Sequence, residues 1–231
     1  MEREIHMSEY HYIMMNKPRG CITACKDEKH KTVMEYLPSE FRSILRPVGR
    51  LDKDTEGLLL FTNDGHFNQK LMHPEHHIPK TYFFWALGTL DEHKKEQLTQ
   101  GVLLRGCSEP TAPALLNIKE TAEISDIRYL INPDQQPGIL KNPTNTSVVS
   151  GLLTITEGKK HQVKRMLKAV GCYVVYLKRI SVGNLFLDAS LCPGTYRALT
   201  ADEYHSLLNF SYNELDIPDN SNFPEMHLRN S

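Results

Sequence analysis

GRLDKDTEGLLLFTNDG, residues 49–65, sets a carboxylate beside an apolar strand. Leu58 to Phe61 form an unbroken apolar run of strand length, closed by Asn63, Asp64 and Gly65. A run of that kind between turn residues reads as a buried strand over Leu58–Thr62. Asp52 lies just upstream, two residues after Arg50. That places it on a short loop at the rim of a core. A neighbouring cation favours the ionised form of a carboxyl, which suits chemistry that needs a permanent anion. Taken alone, the segment favours a plainer reading, a loop aspartate that caps or pairs locally.

Four further segments change that balance. Asn16-Lys17-Pro18-Arg19-Gly20 is a basic turn after Tyr12–Met15, a predicted strand ended by proline and glycine. Lys80-Thr81-Tyr82 opens the aromatic run Tyr82–Trp85 within a predicted strand over Lys80–Leu87. EGKKHQVKRM spans residues 157–166, and LCPGTYRALT spans 191–200. The spacing predicts a helix over 161–170: Val163, Met166, Leu167 and Val170 recur at i, i+3, i+4, i+7. Lys164, Arg165 and Lys168 fall on the opposite side, and Gly171 supplies a stop. Gly158, Lys159 and Lys160 precede this helix, so cations and unpaired N–H groups gather at its N-terminus, a ready anion site. On pattern alone, a solvated charged face is an equal contender.

In this order, the five segments resemble the motifs of the ribosomal RNA pseudouridine synthases, and above all their small-subunit, RsuA-type branch. The resemblance runs from about Tyr12 to Leu208. One such motif is a weak signal; five in order, with the long GRLD segment among them, are specific. The resemblance implies an α+β fold with a mixed, largely antiparallel sheet, flanking helices and a central catalytic cleft. Strands and helices that do not alternate regularly point the same way. It further implies an isomerase that converts a specific uridine of ribosomal RNA, in the small subunit by branch, to pseudouridine. That reaction breaks the N1–C1′ bond, turns the base and joins C5 to C1′, with no redox change and no hydrolysis. No cofactor is required, and the chain carries no GxGxxG, Walker loop or zinc spacing.

By the resemblance, Asp52 is the catalytic carboxylate. Addition to C6, attack on C1′ and proton abstraction from the ribose are all open to it. Tyr82 matches the family's active-site tyrosine, although an aromatic strand residue also belongs in a core. Lys164 matches the basic partner of the aspartate, with Arg165 as the neighbouring alternative. Relatives often carry Arg where Lys164 stands, so the bidentate pairing that Arg allows is lost in this chain. The target uridine must leave its stack to react. Arg50 is expected to fill the gap or hold the backbone, and Lys17, Arg19, Lys80, Lys159, Lys160, His161, Gln162, Arg165 and Lys168 to line the RNA path. Relatives often carry an N-terminal S4 RNA-binding domain, whereas this sequence starts almost directly at the catalytic segment and is expected to lack one. Competing readings are a non-catalytic RNA-binding or ribosome-assembly factor on the same scaffold, and an isomerase of large-subunit ribosomal or transfer RNA.

The 231 residues, 40% of them hydrophobic, suffice for a packed core. No stretch reaches the roughly 18 continuous apolar residues of a membrane span, and the N-terminus shows no secretory apolar region. The expected partner is RNA, with no membrane, and the expected state is a monomer in the cytoplasm. Five cysteines, an odd number, at 21, 25, 107, 172 and 192 fit a reducing compartment. Cys21 and Cys25 lack a second pair, and His73, His76 and His77 lack ligands at metal spacing, so no metal site is expected. The formal net charge of −1 hides a gradient. From Asp202 onward six acids face one base, Arg229, and what precedes them carries 26 bases against 22 acids. Residues 157–179 hold seven bases and one acid, a patch dense enough to bind phosphates. Residues 1–8 are expected to be a disordered N-terminus or a cloning remnant, 9–208 the catalytic domain, and 209–231 an acidic tail. A proline-rich surface loop is expected over 132–147. Helices are predicted at Thr32–Leu37, Asp64–Met72 and Asp91–Gln100, and further strands at Ala114–Ile118 and Leu152–Thr156.

Overall fold

The computed structural model describes residues 10–123 and 147–210. The expectations for residues 1–8, for the loop over 132–146 and for the tail from 211 lie outside them. The described residues form a mixed, mostly antiparallel set of strands with flanking helices, the α+β class expected. They cluster into two compact units. One comprises residues up to Ile78 together with Arg179 onward; the other comprises Pro79–Lys178.

In the first unit β1 (Tyr12–Lys17) lies between β3 (Glu56–Thr62) and β9 (Tyr196–Ala198), antiparallel to both. β2 (Arg46–Val48) also pairs with β3. Leu58, Leu59, Leu60 and Phe61 are each at most 2% exposed. A strand buried on both faces needs apolar residues at every position, which explains the unbroken run in the sequence. Tyr12, Met14, Leu58 and Leu60 pack against Phe67 and Leu71 of α2 (Gly65–Met72) and Tyr204 and Leu207 of α5 (Ala201–Leu208). Asp64 caps α2: its carboxylate accepts from the N–H groups of His66 (2.9 Å) and Phe67 (3.2 Å). Thr200 and Glu203 form a capping box at the start of α5. The expected helix at Thr32–Leu37 is a single 3-10 turn, Val33–Tyr36, followed by the short α1 (Ser39–Ile44).

In the second unit the strand order is β5 (Leu115–Glu123), β6 (Ser147–Ile155), β4 (Lys80–Leu87) and β7 (Tyr173–Val182), the last of which continues beyond Lys178 into the first unit's residues. β4 and β6 pair antiparallel from Lys80↔Ile155 to Leu87↔Val148. Trp85, Leu87, Val148, Val175 and Tyr176 form a core cluster, with Phe83 edge-on to both Trp85 and Tyr176. Asp91 caps α3 (Glu92–Gln100), its carboxylate accepting from the Lys94 N–H (2.9 Å). α4 (Gln162–Ala169) buries Val163, Met166 and Leu167, the stripe its spacing predicts, and Gly171 ends it at φ +82°.

Candidate active site and RNA-facing segments

Asp52 is half-buried on the loop between β2 and β3. Hydrogen bonds on either side fix the backbone of that loop. Thr23 Oγ1 donates to the Leu51 carbonyl (2.8 Å) and accepts from the Leu51 N–H (3.1 Å). The Gly20 N–H donates to the Lys53 carbonyl (2.8 Å), and the Thr55 N–H closes a turn onto the Asp52 carbonyl (3.1 Å). Gly20 holds φ at +93°, a left-handed conformation that glycine adopts without Cβ strain. The Lys17 ammonium reaches under the loop to the carbonyls of Thr55 (2.9 Å) and Pro18 (3.0 Å). The carboxylate at position 52 therefore sits on a backbone whose geometry is set before any substrate arrives. Arg50, beside it, is exposed.

Lys17 does not fit the phosphate path expected for it. Its residue is 0% exposed, and it serves as an internal brace for the aspartate loop. Burial lowers its pKa from the ordinary lysine value; Cys21 and the carboxylates of Glu56, Asp54 and Asp52 pull the other way. Burial likewise raises the Cys21 thiol, with Lys17 opposing. The sequence segment NKPRG is thus in part a scaffold for GRLD. Arg19 is half-buried.

The second unit carries the remaining candidates. Tyr82 stands on β4 opposite Leu153 and is 9% exposed, while Lys80 at the start of that strand is buried and also departs from an open phosphate path. At the foot of α4 a hydrogen-bonded network gathers around Glu157. Its carboxylate accepts from Gln162 Nε2 (2.6 Å) and from the Ala112 N–H (3.0 Å), and pairs with Lys159 Nζ (3.0 Å). Gln162 Oε1 accepts from the Lys159 N–H (2.8 Å). Gln162, expected to touch RNA, is 4% exposed, and its amide is spent inside this network. His161 is exposed and holds φ +53°, ψ 34° just before the helix, uncommon for a non-glycine residue. Lys160 and Lys168 are exposed, whereas Lys164 and Arg165 are half-buried. Arg179, counted among the cations of the patch, is 3% exposed and donates from Nε to the Leu58 carbonyl (2.8 Å). It belongs to the core of the first unit.

Sequence reasoning missed Thr23, whose side chain clamps a residue 28 positions away, and the turn around Arg105 that leans on Arg165. Neither carries a motif or a periodicity that would single it out. His76 Nδ1 lies 2.7 Å from the Lys70 carbonyl and His73 Nδ1 lies 3.8 Å from Glu75. Among the described residues no three His, Cys, Asp or Glu side chains gather as a metal-binding group, and no helix is long and apolar enough to cross a membrane.

A family model described as RNA pseudouridylate synthase matches residues 11–169, a span that takes in the aspartate loop, β4 and α4. The chain belongs to this family. It is an isomerase that acts on RNA. It is 43% identical over 200 residues to the uncharacterized RNA pseudouridine synthase YtzG of Bacillus subtilis (strain 168), covering 86% of this chain and 74% of that protein. It is 37% identical over 197 residues to the ribosomal small subunit pseudouridine synthase A of Escherichia coli (strain K12), covering 85% and 74%. A solved structure titled as a crystal structure of pseudouridylate synthase superposes with a TM-score of 0.70 at 36% identity, covering 86% of this chain and 74% of the other.

Proposed function

We propose that this enzyme converts a specific uridine of small-subunit ribosomal RNA to pseudouridine, with Asp52 as the reacting carboxylate. The observation that carries this reading is the braced loop: five side-chain and backbone hydrogen bonds hold residues 51–55, so the backbone that carries Asp52 is set without help from substrate. Preorganisation of this kind lets one anion act at C1′ or C6 with little reorganisation in the transition state. Atoms balance within the nucleoside: the N1–C1′ bond breaks, the C5–C1′ bond forms, C5 gives up its proton and N1 gains one. By the family's pattern, Lys164 is the cation that keeps the carboxylate ionised, and Tyr82 is the ring beside the uracil. The small-subunit assignment draws on the names of the relatives at 36–37% identity. We take the protein to work as a monomer in the cytoplasm, over a catalytic domain of residues 9–208.

Mapping pseudouridine across total RNA in cells with and without the gene tests the substrate. Loss of one modification in small-subunit ribosomal RNA is expected; loss in transfer or large-subunit RNA alone overturns that assignment. Asp52→Asn tests the chemistry. It should fold and bind RNA nearly as wild type while turnover disappears, and measurable turnover in that variant removes Asp52 from its role.

A further inference from the structure

Residues 102–111 form a hairpin ahead of β5. Thr111 N–H donates to the Val102 carbonyl (2.9 Å), the Val102 N–H donates to Thr111 Oγ1 (3.0 Å), and Leu103 bridges Pro110. The tip is a tight turn, closed by Cys107 N–H to the Leu104 carbonyl (2.9 Å). Arg105 and Gly106 are its two central residues, and Gly106 holds φ +79°, the geometry a glycine at that position allows. Arg105 is exposed, and its guanidinium has no hydrogen-bond partner among the described residues.

Arg165 of α4 does the opposite. Its guanidinium donates to the Arg105 carbonyl (2.7 Å) and, at 3.4 Å, to the Lys160 carbonyl, with Cys107 Sγ at 3.6 Å. One fork therefore ties the hairpin tip to the basic segment before α4. Two more ties act lower down: Glu157 accepts from the Ala112 N–H, and Lys159 Nζ reaches the Pro110 carbonyl (3.4 Å). A surface turn rich in small and polar residues would otherwise be free to move. Here charged side chains of the EGKKHQVKR segment are used up to hold it still. What this fixes in space is a pair of exposed cations, Arg105 and Lys160, carried on backbone positions bound to the same guanidinium.

We infer that the 103–110 hairpin is an RNA-contacting element in which Arg105 binds the phosphate backbone beside Lys160, and that Arg165 is the positioning residue that holds it there. The inference rests on the RNA-modifying function proposed above. An arginine at the tip of a fixed turn matches phosphate bidentately, and each such contact on single-stranded RNA adds about 0.7 to the log–log salt slope. A lysine ammonium can also reach two carbonyls, as Lys17 does, so it is the double variant that separates positioning from charge.

The test measures affinity for a fluorescein-labelled oligouridylate across a salt series, alongside steady-state kinetics on protein-free small-subunit ribosomal RNA. Arg105→Ala should weaken binding, flatten the slope by about 0.7, and raise KM by a larger factor than it lowers kcat. Arg165→Ala should reproduce that change, and the double variant should be no worse than either single one. Arg165→Lys, which keeps the charge and up to three donors but not the planar fork, should fall between wild type and Arg165→Ala. Wild-type affinity and slope in Arg105→Ala overturn the RNA contact. Additive losses in the double variant overturn the positioning role, because Arg165 would then act through its own charge. Arg105→Glu, a surface change that spares the fork, decides the contact even if the Arg165 variants fold poorly. The binding arms need no turnover, so an enzyme that leaves small-subunit RNA unmodified would sink the substrate assignment without touching this result.

Discussion

At the scale of single residues, charged groups in the motifs divide between chemistry and support. Lys17 and Asp64 both lie in family motifs, yet both are buried and bonded to protein. Asp64 caps α2 with Oδ1 and accepts the Tyr12 hydroxyl at Oδ2 (2.8 Å). Burial first, then hydrogen bonding with Tyr204 and Asp64, holds the Tyr12 phenol well above its ordinary pKa. Asp64→Ala removes a helix cap, about 1 kcal/mol, and leaves a buried hydroxyl without its acceptor, about 1–3 kcal/mol. Thermal melting should fall on the order of 10 °C, while turnover at low temperature stays near wild type. A large loss of turnover with an unchanged Tm would show that Asp64 reaches the active site.

At the scale of the element, α4 and its approach separate cations by what they already hold. Lys159 is paired with Glu157 and bonded to Pro110, so little of its charge is left for RNA. Lys160 and Lys168 are exposed. Lys160→Ala and Lys168→Ala should each flatten the salt dependence of RNA binding by about 0.7, and Lys159→Ala by clearly less. Affinity measured against salt for the three variants checks this. Equal, negligible changes at all three would make the stripe a solvated surface with no part in binding.

At the scale of the whole molecule, near-neutral net charge and a basic patch coexist because acids and bases are segregated along the chain. The acids that face bases in ion pairs also set the acid limit of stability. Arg197 on β9 pairs with Asp188 (2.6 Å) and, through two nitrogens, with Glu203 on α5 (2.7 Å each). Hydrogen bonds from Ser190 and then Arg197 hold Asp188 down at about 2, and Arg197 lowers Glu203 as well. Both carboxyls bind protons more weakly when folded than when unfolded. Their contribution is therefore complete above the ordinary carboxyl pKa of about 4 and is lost as pH falls toward 2. Arg197→Ala should lower Tm at neutral pH by about 2 kcal/mol's worth, roughly 4–8 °C, and should shrink the difference from wild type between pH 4 and pH 2. Melting curves over that range decide it; a gap that stays constant down to pH 2 would mean the pairs add nothing.

Local periodicity and turn chemistry are enough to read β1, β3, β4, α2 and α4 from the sequence, because each buries one regular stripe or run between residues that stop it; α3, a charged surface helix that buries only Leu98, is marked by the Gly101 that closes it. The same local pattern places Asp52 on a loop pinned by the strand that follows; its proposed role in the chemistry comes from the family resemblance, since the segment alone favours a plain loop aspartate. β6 extends further back than its sequence suggests, since Ser147, Ser150 and Gly151 look like loop until β4 pairs with Ser150 and Gly151 and β5 with Ser147. β7 escapes a reading from sequence because Lys178 and Arg179 interrupt its apolar pattern, and the Leu58 carbonyl that accepts from the buried Arg179 lies more than a hundred residues earlier. The same limit separates the cations. Sequence alone counted Lys17, Gln162, Arg165 and Lys160 together as polar groups for RNA. Tertiary structure decided which of them are spent on carbonyls and carboxylates and which remain at the surface, because hydrogen-bond partners distant in sequence leave no trace in local pattern.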